Sequence, residues 1–460
     1  MFYPRLALSW MLIFAASLAG AAEPVDLGKQ RELFVDDYLI GQLGGGAQQV
    51  LQKPVPREVV LVTDKPWEGN TCAYYTIFQD GDVYRMYYRG SHYDEQTCKA
   101  AHAEVVCYAE SRDGIRWTKP ELGLCEFAGS KANNIVWNGP GGHNFTPCKD
   151  ANPACPPEAR YKALAGGRGG LLALQSADGL RWSLIRSEPV ITKGAFDSQN
   201  LAFWDPHAKL YREYHRQFRG ERDIMTGTSS DFLTWTDPVF LEYPGAPKEH
   251  LYTNAILSYE RAPQLLLGFP TRFHPERGQQ VEPVFMTSRD GRTFHRWPDA
   301  LIPVTAPENR DGNRSNYMTW GMVQLPDNNK EYSVYATEAY YTGPDSRVRR
   351  FTYRVDGFVS VHAAADGGEL VTKPLRFAGT KLNINAAVAA GGRIRVEIQD
   401  AAGQAIGGLS LADCQVFSGD AIEHTVSWTG GHDVGKLAGK PARLRFELHN
   451  ADLYSLQFVE

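Results

Sequence analysis

Four carboxylate residues occupy similar places in the sequence and carry its clearest chemical potential. Glu68, Asp150, Asp197 and Glu249 each lie in a short segment that mixes polar side chains with strand-forming residues. A protonated and an ionised carboxyl group together can supply general acid and general base catalysis, and a third can shift their pKa values. Any one of these acids is better explained as a strand-end cap or an ion-pair partner. The equivalent placement of all four is what indicates a shared site.

A recurring turn shows how the chain positions these acids. SRDGIRW (111–117) returns as SADGLRW (176–182), SSDFLTW (229–235) and SRDGRTF (288–294), at intervals of roughly 50–65 residues. Asp-Gly supplies the positive φ of a tight hairpin, and the Asp carboxylate can accept neighbouring backbone N–H groups. A fifth, degenerate copy is RVDGF (354–358). The spacing predicts five repeated supersecondary units.

The segments between these turns have the composition of β-strands. VYRMYYRG (83–90), KLYREYHRQF (209–218) and KEYSVYATEAYY (330–341) are rich in Val, Tyr and Phe, and each follows a turn signal. Four short strands with their turns fill about 40–50 residues, the size of one propeller blade. We therefore predict an all-β protein with a five-bladed β-propeller over residues 23–365.

The chain changes character after about residue 365. A linker-like stretch, AADGGEL, precedes segments such as GRIRVEIQDAAGQAI that alternate apolar and polar residues with period two. This alternation is typical of an antiparallel β-sandwich, which we predict over residues 366–460.

The N-terminus and the cysteines indicate an exported protein. Residues 1–22 combine one Arg, an apolar run and small residues at Ala19 and Ala21, the pattern of a secretory signal cleaved near Ala21 or Ala22. A periplasmic or secreted protein would hold its seven Cys in an oxidising compartment. Cys148 and Cys155 bracket a short loop and are predicted to form a disulfide. Cys98 and Cys107 bracket another loop, and the odd count leaves at least one thiol free.

Charge and hydropathy exclude some partners. The net charge is −5 and no long basic run exists, which argues against nucleic acid. No segment beyond the signal is long and apolar enough to span a membrane. No Cys/His cluster has zinc spacing, and a calcium ion at the axis would have no sequence signature here, so no cofactor is predicted. We expect a monomer.

A secreted five-bladed propeller followed by a β-sandwich resembles glycoside hydrolase family 32 and its relatives in families 43, 68 and 130. The segments SSDFLTWTDP (229–238) and ELHNADLYSLQF (447–458) carry the resemblance. It implies a hydrolase that cleaves a plant or algal oligo- or polysaccharide with carboxylates in the propeller funnel. Glu249 would then be the general acid, Glu68 or Asp150 the base or nucleophile, and Asp197 the residue that orients the sugar.

The sequence departs from the family 32 signature at each acid. The family places its first acid in W-x-N-D-P-N-G, its second in R-D-P and its third in E-C. This chain has Trp67-Glu68-Gly69-Asn70, Lys149-Asp150-Ala151 and Glu249-His250. Invertase-type specificity is therefore not supported.

Further polar and aromatic residues extend the candidate site. Trp can stack on sugar rings, although packing between blades is its more common role. Arg can hold a sugar carboxylate or sulfate through two hydrogen bonds, and a surface salt bridge is at least as probable. The candidates for substrate binding are Trp67, Asn70, His143, His250, Arg272, His274, Trp320 and Glu338.

Two other classes of function fit the same residues. A non-catalytic carbohydrate-binding propeller would use the acids only to hold hydroxyl groups. A polysaccharide lyase would depend on a Tyr or His base, so His143 and Tyr252 would matter more than paired acids. A phosphorylase would need a basic phosphate pocket, for which Arg272 is the obvious start.

Overall fold

The computed structural model describes residues 23–302, 306 and 315–460, which fold mainly into β-strands. Helical turns within them are limited to three 3₁₀ segments at Pro157–Ala159, Pro275–Arg277 and Gly435–Leu437. The predicted all-β class is therefore confirmed. The predicted signal segment, residues 1–22, lies outside the described residues. None of the described segments is a helix long and apolar enough to cross a membrane.

Four N-terminal strands pair with the far end of the chain. They are β1 (Val25–Gly28), β2 (Glu32–Leu33), β3 (Ile40–Gly44) and β4 (Gln48–Leu51). The next strand is β5 (Val55–Val62), which joins a different sheet, described below.

Three four-stranded antiparallel sheets follow, each built from strands in chain order. The first contains β6 (Ala73–Asp80), β7 (Val83–Gly90), β10 (Val105–Ser111) and β11 (Ile135–Trp137), with a small hairpin, β8 (Tyr93–Asp94) and β9 (Lys99–Ala100), inserted. The second contains β12 (Thr146–Lys149), β13 (Tyr161–Gly167), β14 (Gly170–Ser176) and β15 (Ser183–Leu184). The third contains β16 (Leu201–Asp205), β17 (Leu210–Arg219), β18 (Glu221–Ser229) and β19 (Val239–Phe240).

The fourth group of strands is split into two sheets, and the fifth is completed by β5. One part of the fourth group contains β20 (His250–Leu251), β23 (Thr271–His274) and β24 (Gln280–Pro283). The other contains β21 (Leu257–Ser258), β22 (Leu266–Gly268), β25 (Met286–Ser288) and β26 (Phe294–Arg296). The fifth contains β27 (Tyr317–Met318), β28 (Val323–Gln324), β29 (Glu331–Glu338) and β30 (Arg347–Arg354), and β5 pairs with β30 at its edge.

The strands predicted from composition are confirmed as β7, β17 and β29. The number of blades stays a prediction, because the sheets are separate and none closes on itself.

The repeated Asp turns share one hydrogen-bonding pattern. In the second sheet, Asp178 Oδ1 accepts from the backbone N–H groups of Leu180 and Arg181, both at 2.8 Å. The Ser176 hydroxyl donates to Asp178 and accepts from Gly179 N at 2.9 Å. The Trp182 indole donates to Gly179 O at 3.0 Å. The same Asp acceptor contacts recur at Asp113, Asp231 and Asp290.

Hydrogen bonds connect the segments near the first strands of four of the five groups. Tyr75 O accepts from both Gln199 Nε2 at 3.0 Å and Trp320 N at 2.8 Å. Asn254 Nδ2 donates to Gln199 O at 3.3 Å, and Trp320 Nε1 donates to Ile256 O at 2.8 Å. These bonds join the first, third, fourth and fifth groups, so the ends of their first strands face shared space.

The C-terminal sheet has ten strands. Its later members are β31 (Val359–Ala363), β32 (Gly368–Thr372), β33 (Leu375–Phe377), β34 (Lys381–Asp400), β35 (Asp420–Thr425) and β36 (Ala442–Val459). Strand β1 pairs parallel with β33, and β2, β3 and β4 pair antiparallel with β36, β32 and β31. This sheet therefore contains residues 25–51 and 359–363 in addition to the segment predicted from residue 366 onward.

The predicted disulfide between Cys148 and Cys155 is absent, and all seven cysteines are free thiols. Cys148 is buried in β12, where it packs in the hydrophobic core. The Cys155 thiol instead lies 3.2 Å from Ala159 O and 3.1 Å from Lys162 Nζ. Lys162 also pairs with Asp150, so an ion pair, and not a covalent bond, fixes this loop.

Candidate active site

A cavity of about 530 Å³ opens at the end of the molecule where the first strands begin. Several of its lining residues lie close to the first strand of a group. Tyr74 lies at the start of β6, Asp197 shortly before β16, and Tyr252 directly after β20. His143 lies shortly before β12, and Tyr340 follows β29. Five different sheet groups therefore position one site.

His143 lies between two carboxylates at the centre of this cavity. Its Nδ1 is 2.8 Å from Glu104 Oε2, and its Nε2 is 3.0 Å from Asp197 Oδ1. The Asp197 side chain is 62% exposed, whereas those of His143 and Glu104 are 38% and 32% exposed. The two acids thus sit on opposite nitrogens of one imidazole, and Asp197 is the one that faces incoming ligand.

This arrangement determines which groups carry protons. Burial and the nearby Arg89 cation act to lower the pKa of His143, but its hydrogen bonds to Asp197 and Glu104 outweigh them and raise it. The hydrogen bond from His143 lowers the pKa of Asp197 to about 2, helped by Arg216. The pKa of Glu104 is also lowered, since His143 and Arg89 outweigh the effect of burial. The two carboxylates therefore favour the imidazolium form of His143, and His143 favours the ionised forms of both acids.

Arg89 forms the floor of the site beside His143. Its Nη1 lies 3.2 Å from Nδ1 and 3.4 Å from Nε2 of His143, and its Nη2 donates to Thr71 O at 2.8 Å and to the Tyr340 hydroxyl at 3.1 Å. The guanidinium carbon is 4.9 Å from the Tyr74 ring centroid. Arg89 is nearly fully buried, so its charge acts in a poorly solvated environment.

A second arginine approaches Asp197 from the third sheet. Arg216 Nη2 lies 3.6 Å from Asp197 Oδ2, and its guanidinium carbon is 4.8 Å from the Tyr252 ring centroid. The hydroxyl groups of Tyr252 and Tyr74 each lie 3.4 Å from an oxygen of Asp197. Burial raises the pKa of Tyr74 well above its ordinary value, so this phenol stays protonated at neutral pH.

The structure does not bring the four predicted acids together. Only Asp197 lines the cavity. Glu68 is buried, where it accepts from the Tyr88 hydroxyl and Lys119 Nζ, both at 2.6 Å. Asp150 is buried against Lys162 and accepts from the Tyr211 hydroxyl at 2.7 Å. Glu249 pairs with Arg272 at 3.0 Å and with Arg296.

Of the predicted binding residues, His143 lines the cavity and Asn70 supports its rim. Asn70 Nδ2 donates to Tyr93 O and Gly343 O, both at 3.1 Å, and its Oδ1 accepts from Tyr93 N. Trp67 instead donates to Asn134 at 2.6 Å. Trp320 lines a separate cavity of about 440 Å³ at the opposite end of the first strands, together with Asp150.

The remaining predicted residues do not line the cavity and belong to ion pairs and backbone contacts. Arg272 and His274 share Glu282, at 2.6 Å and 2.8 Å. His250 Nδ1 accepts from Arg222 N at 3.0 Å. Glu338 is fully buried between Arg347 and Arg349, each at 2.7 Å.

Sequence reasoning missed Arg89, Arg216 and Glu104 because it searched only the starts of first strands. The second strand of each sheet runs antiparallel to the first, so its C-terminal end returns to the same mouth. Arg89 and Arg216 lie near these ends, in the strand segments VYRMYYRG (83–90) and KLYREYHRQF (209–218). An Arg among the aromatic residues of a strand is therefore a sequence signal for these two positions. Glu104 lies in a loop and had none.

No group of three or more His, Cys, Asp or Glu side chains that could hold a metal ion occurs within residues 23–302, 306 and 315–460.

No protein-family model and no curated protein matches this sequence. Among solved structures, the chain is similar to an N-acetylgalactosamine deacetylase from F. plautii in complex with blood group B trisaccharide, at 12% identity and a TM-score of 0.46 over 67% of this chain and 96% of that chain. A β-1,2-mannobiose phosphorylase from Listeria innocua aligns at 11% identity and a TM-score of 0.45, over 66% and 97% of the two chains. A thermostable family-43 glycoside hydrolase aligns at 14% identity and a TM-score of 0.44, over 67% and 96%.

Proposed function

We propose that the protein is a glycoside hydrolase whose active site is the cavity around Asp197 and His143. The observation that carries this proposal is the Glu104–His143–Asp197 array, an exposed carboxylate with a lowered pKa in contact with an imidazole whose pKa is raised. Tyrosine side chains and Arg89 surround it, which gives the apolar faces and hydrogen-bond donors that sugar rings need.

The array supplies both proton transfers of hydrolysis. The His143 imidazolium gives its Nε2 proton to the leaving oxygen as the bond from that oxygen to the anomeric carbon breaks. After the leaving group has departed, Asp197 takes a proton from a water whose oxygen bonds to the oxocarbenium carbon on the same side, where both groups lie. Neutral His143 then recovers a proton from Asp197 across their 3.0 Å contact, which restores the resting state. Glu104 acts as a positioning residue that keeps the imidazole in place.

A polysaccharide lyase is the second candidate, and one observation favours it. The acid and the base touch each other, so they approach the substrate from the same side. Removal of a proton and protonation of the leaving oxygen on one face of a sugar suits β-elimination, for which the tyrosines beside Asp197 are further proton carriers.

We also propose that the five groups of strands between β5 and β30 are the blades of a five-bladed propeller. The shared Asp turns and the hydrogen bonds among the first strands support it.

The test is a glycan panel in which cleavage is read both as new reducing ends and as ultraviolet absorbance of unsaturated products. Reducing ends alone would support the hydrolase, and absorbance would support the lyase. We expect Asp197→Asn and His143→Gln each to lower turnover by roughly 10²-fold or more. The matched exposed controls, Asp82→Asn and His207→Gln, should retain wild-type rates. Full activity in both site variants would contradict the proposal.

A further inference from the structure

The cavity and its edge carry more arginine charge than the neighbouring carboxylates balance. Three arginines, Arg89, Arg216 and Arg222, line the cavity or contact its lining residue Tyr252, whereas Glu104 and Asp197 are the two carboxylates that contact Arg89 and Arg216. The whole chain has a net charge of −5, so this excess is local. A poorly solvated positive site attracts anions more strongly than an exposed one does.

Arg222 is the least satisfied of these cations. It lies in β18, and its Nε is buried with no hydrogen-bond partner among the described residues. Within those residues no carboxylate forms an ion pair with its guanidinium. The guanidinium carbon instead lies 4.2 Å from the Phe273 ring centroid and 5.6 Å from that of Tyr252. Aromatic rings hold this cation in place without neutralising it.

The position of Arg222 connects it to the site. Tyr252 contacts both arginines, since Arg216 lies 4.8 Å from the same ring, and its hydroxyl lies 3.4 Å from Asp197. Phe218 packs beside both arginines at 5.4 Å and 5.8 Å and is 49% exposed. An exposed ring next to two guanidinium groups offers a stacking surface and bidentate donors together.

We propose that Arg222, with Arg216, forms a subsite for an anionic substituent of a sugar, so that the substrate is an acidic glycan. The inference rests on the proposed function, in that it takes the cavity as the glycan-binding site. The substituent is a uronic acid carboxylate or a sulfate ester, because both present oxygens that a guanidinium can bind in a bidentate manner.

Binding of monosaccharides tests this without any bond cleavage. Glucose, glucuronate and glucose 6-sulfate differ only at C6, and the corresponding galactose series provides a second set. We expect NMR titration of the wild-type protein to show tighter binding of an anionic member than of its neutral parent. Preference for the uronate or for the sulfate identifies which anion the subsite accepts. Absence of any preference for an anion, including absence of binding, would overturn the proposal.

Variants locate the subsite. Arg222→Gln should weaken binding of the preferred anion by about tenfold and leave neutral sugars unchanged. Arg222→Lys should retain part of the affinity, since it keeps the charge but loses the planar fork. Arg181→Gln, an arginine 72% exposed on an Asp turn, is the matched control and should have no effect. Equal loss for neutral and anionic sugars would mean that Arg222 only supports the fold.

The two proposals fail in different ways. If anion binding depends on Arg222 but no glycan is cleaved, the proposed hydrolase is wrong and the subsite stands. If neutral glycans are cleaved faster than acidic ones, the hydrolase stands and the acidic substrate is wrong.

Discussion

At the scale of single residues, the imidazole of His143 is the group on which the proposed chemistry depends. Two carboxylates hold it, and they outweigh both its burial and the adjacent Arg89. The same contacts depress the pKa of Asp197 to about 2. The base is therefore ionised at any pH well above 2, and the acid keeps its proton to a higher pH than an ordinary histidine does.

These shifts predict the pH dependence of activity. Because the pKa of His143 is raised, kcat/KM should remain high at pH 6.5 and should fall only at higher pH, as the raised pKa is passed. On the acid side, activity should persist below pH 4, since Asp197 protonates only near pH 2. Glu104→Gln removes one carboxylate from His143, so its alkaline limb should move to lower pH. An unmoved limb in a pH–rate profile would contradict the assignment.

His143 and Asp197 give the free energy of unfolding opposite dependences on pH. The raised pKa of His143 contributes stability that is present below the unfolded value of 6.5 and is lost as pH rises through the folded value. The depressed pKa of Asp197 contributes stability that is present above the unfolded value of 3.8 and is lost as pH falls toward 2. His143→Gln should therefore lose more stability at pH 5 than at pH 9, measured by thermal melting at both.

Glu68 and Asp150 have sequence contexts similar to that of Asp197, but they lie in buried ion pairs. Each is buried beside a lysine, Lys119 for Glu68 and Lys162 for Asp150, and each accepts from a tyrosine. We expect Asp150→Asn to lower the melting temperature at a cost of about 3–5 kcal/mol, because it leaves the charge of Lys162 without its carboxylate. Glu68→Gln should lower it less, because Lys119 keeps Asp64 as a partner at 3.1 Å. The folded fraction should keep its turnover. Loss of turnover at unchanged stability would restore them as catalytic residues.

At the scale of elements, the Asp turn is a small folding unit that the sequence specifies well. Residue types at four positions, namely Ser, Asp, Gly and the aromatic residue, correspond to specific hydrogen bonds in the structure. The third copy has Phe232 in place of Gly, and this residue adopts the same left-handed φ of 70°. Phe232 is buried, so its packing compensates for a conformation that Gly adopts without strain.

Removal of one Asp side chain tests the unit. Asp178→Ala leaves the N–H groups of Leu180 and Arg181 without their acceptor and should cost about 1–2 kcal/mol in the free energy of unfolding. Asp178→Asn keeps one acceptor oxygen and should cost less. The pKa of Asp178 is lowered to about 2, since hydrogen bonds outweigh burial, so the difference between the two variants should persist down to pH 3. Equal stabilities in urea unfolding would refute this role.

The elements were more predictable than the site because they depend on local patterns. Strand alternation and turn residues located β7, β17 and β29 and the entry segments of the sheets. The partner of a carboxylate, however, is set by packing between strands distant in sequence: Glu249 meets Arg296, 47 residues later. Asp197 instead meets His143 in the cavity, and no local pattern distinguishes it from the other three acids.

At the scale of the whole molecule, the two ends of the chain pair in one sheet and also meet at one buried carboxylate. Asp356 stands in the fifth, degenerate Asp turn, yet its side chain does not cap that turn. Its oxygens lie 3.1 Å from both Arg31 and Arg261, and it accepts from the hydroxyls of Tyr259 and Ser455 at 2.5 Å and 2.9 Å. The N-terminal segment, the fourth group of strands and the C-terminal sheet therefore meet at this residue.

We expect this junction to control the stability of the whole protein. Asp356 is fully buried, and Arg261 and Arg31 lower its pKa despite burial, so it stays charged. Asp356→Asn leaves both arginines with the half-exposed Glu423 as their remaining carboxylate, and the loss of the buried charge should cost about 3 kcal/mol. The exposed acid Asp366 provides the control, since Asp366→Asn should change little. A melting temperature of Asp356→Asn within a degree of wild type would show that the sheets hold together without this contact. A large loss accompanied by normal sugar binding at low temperature would show that the junction stabilises the fold from a distance, because Asp356 lies outside the cavity that contains Asp197.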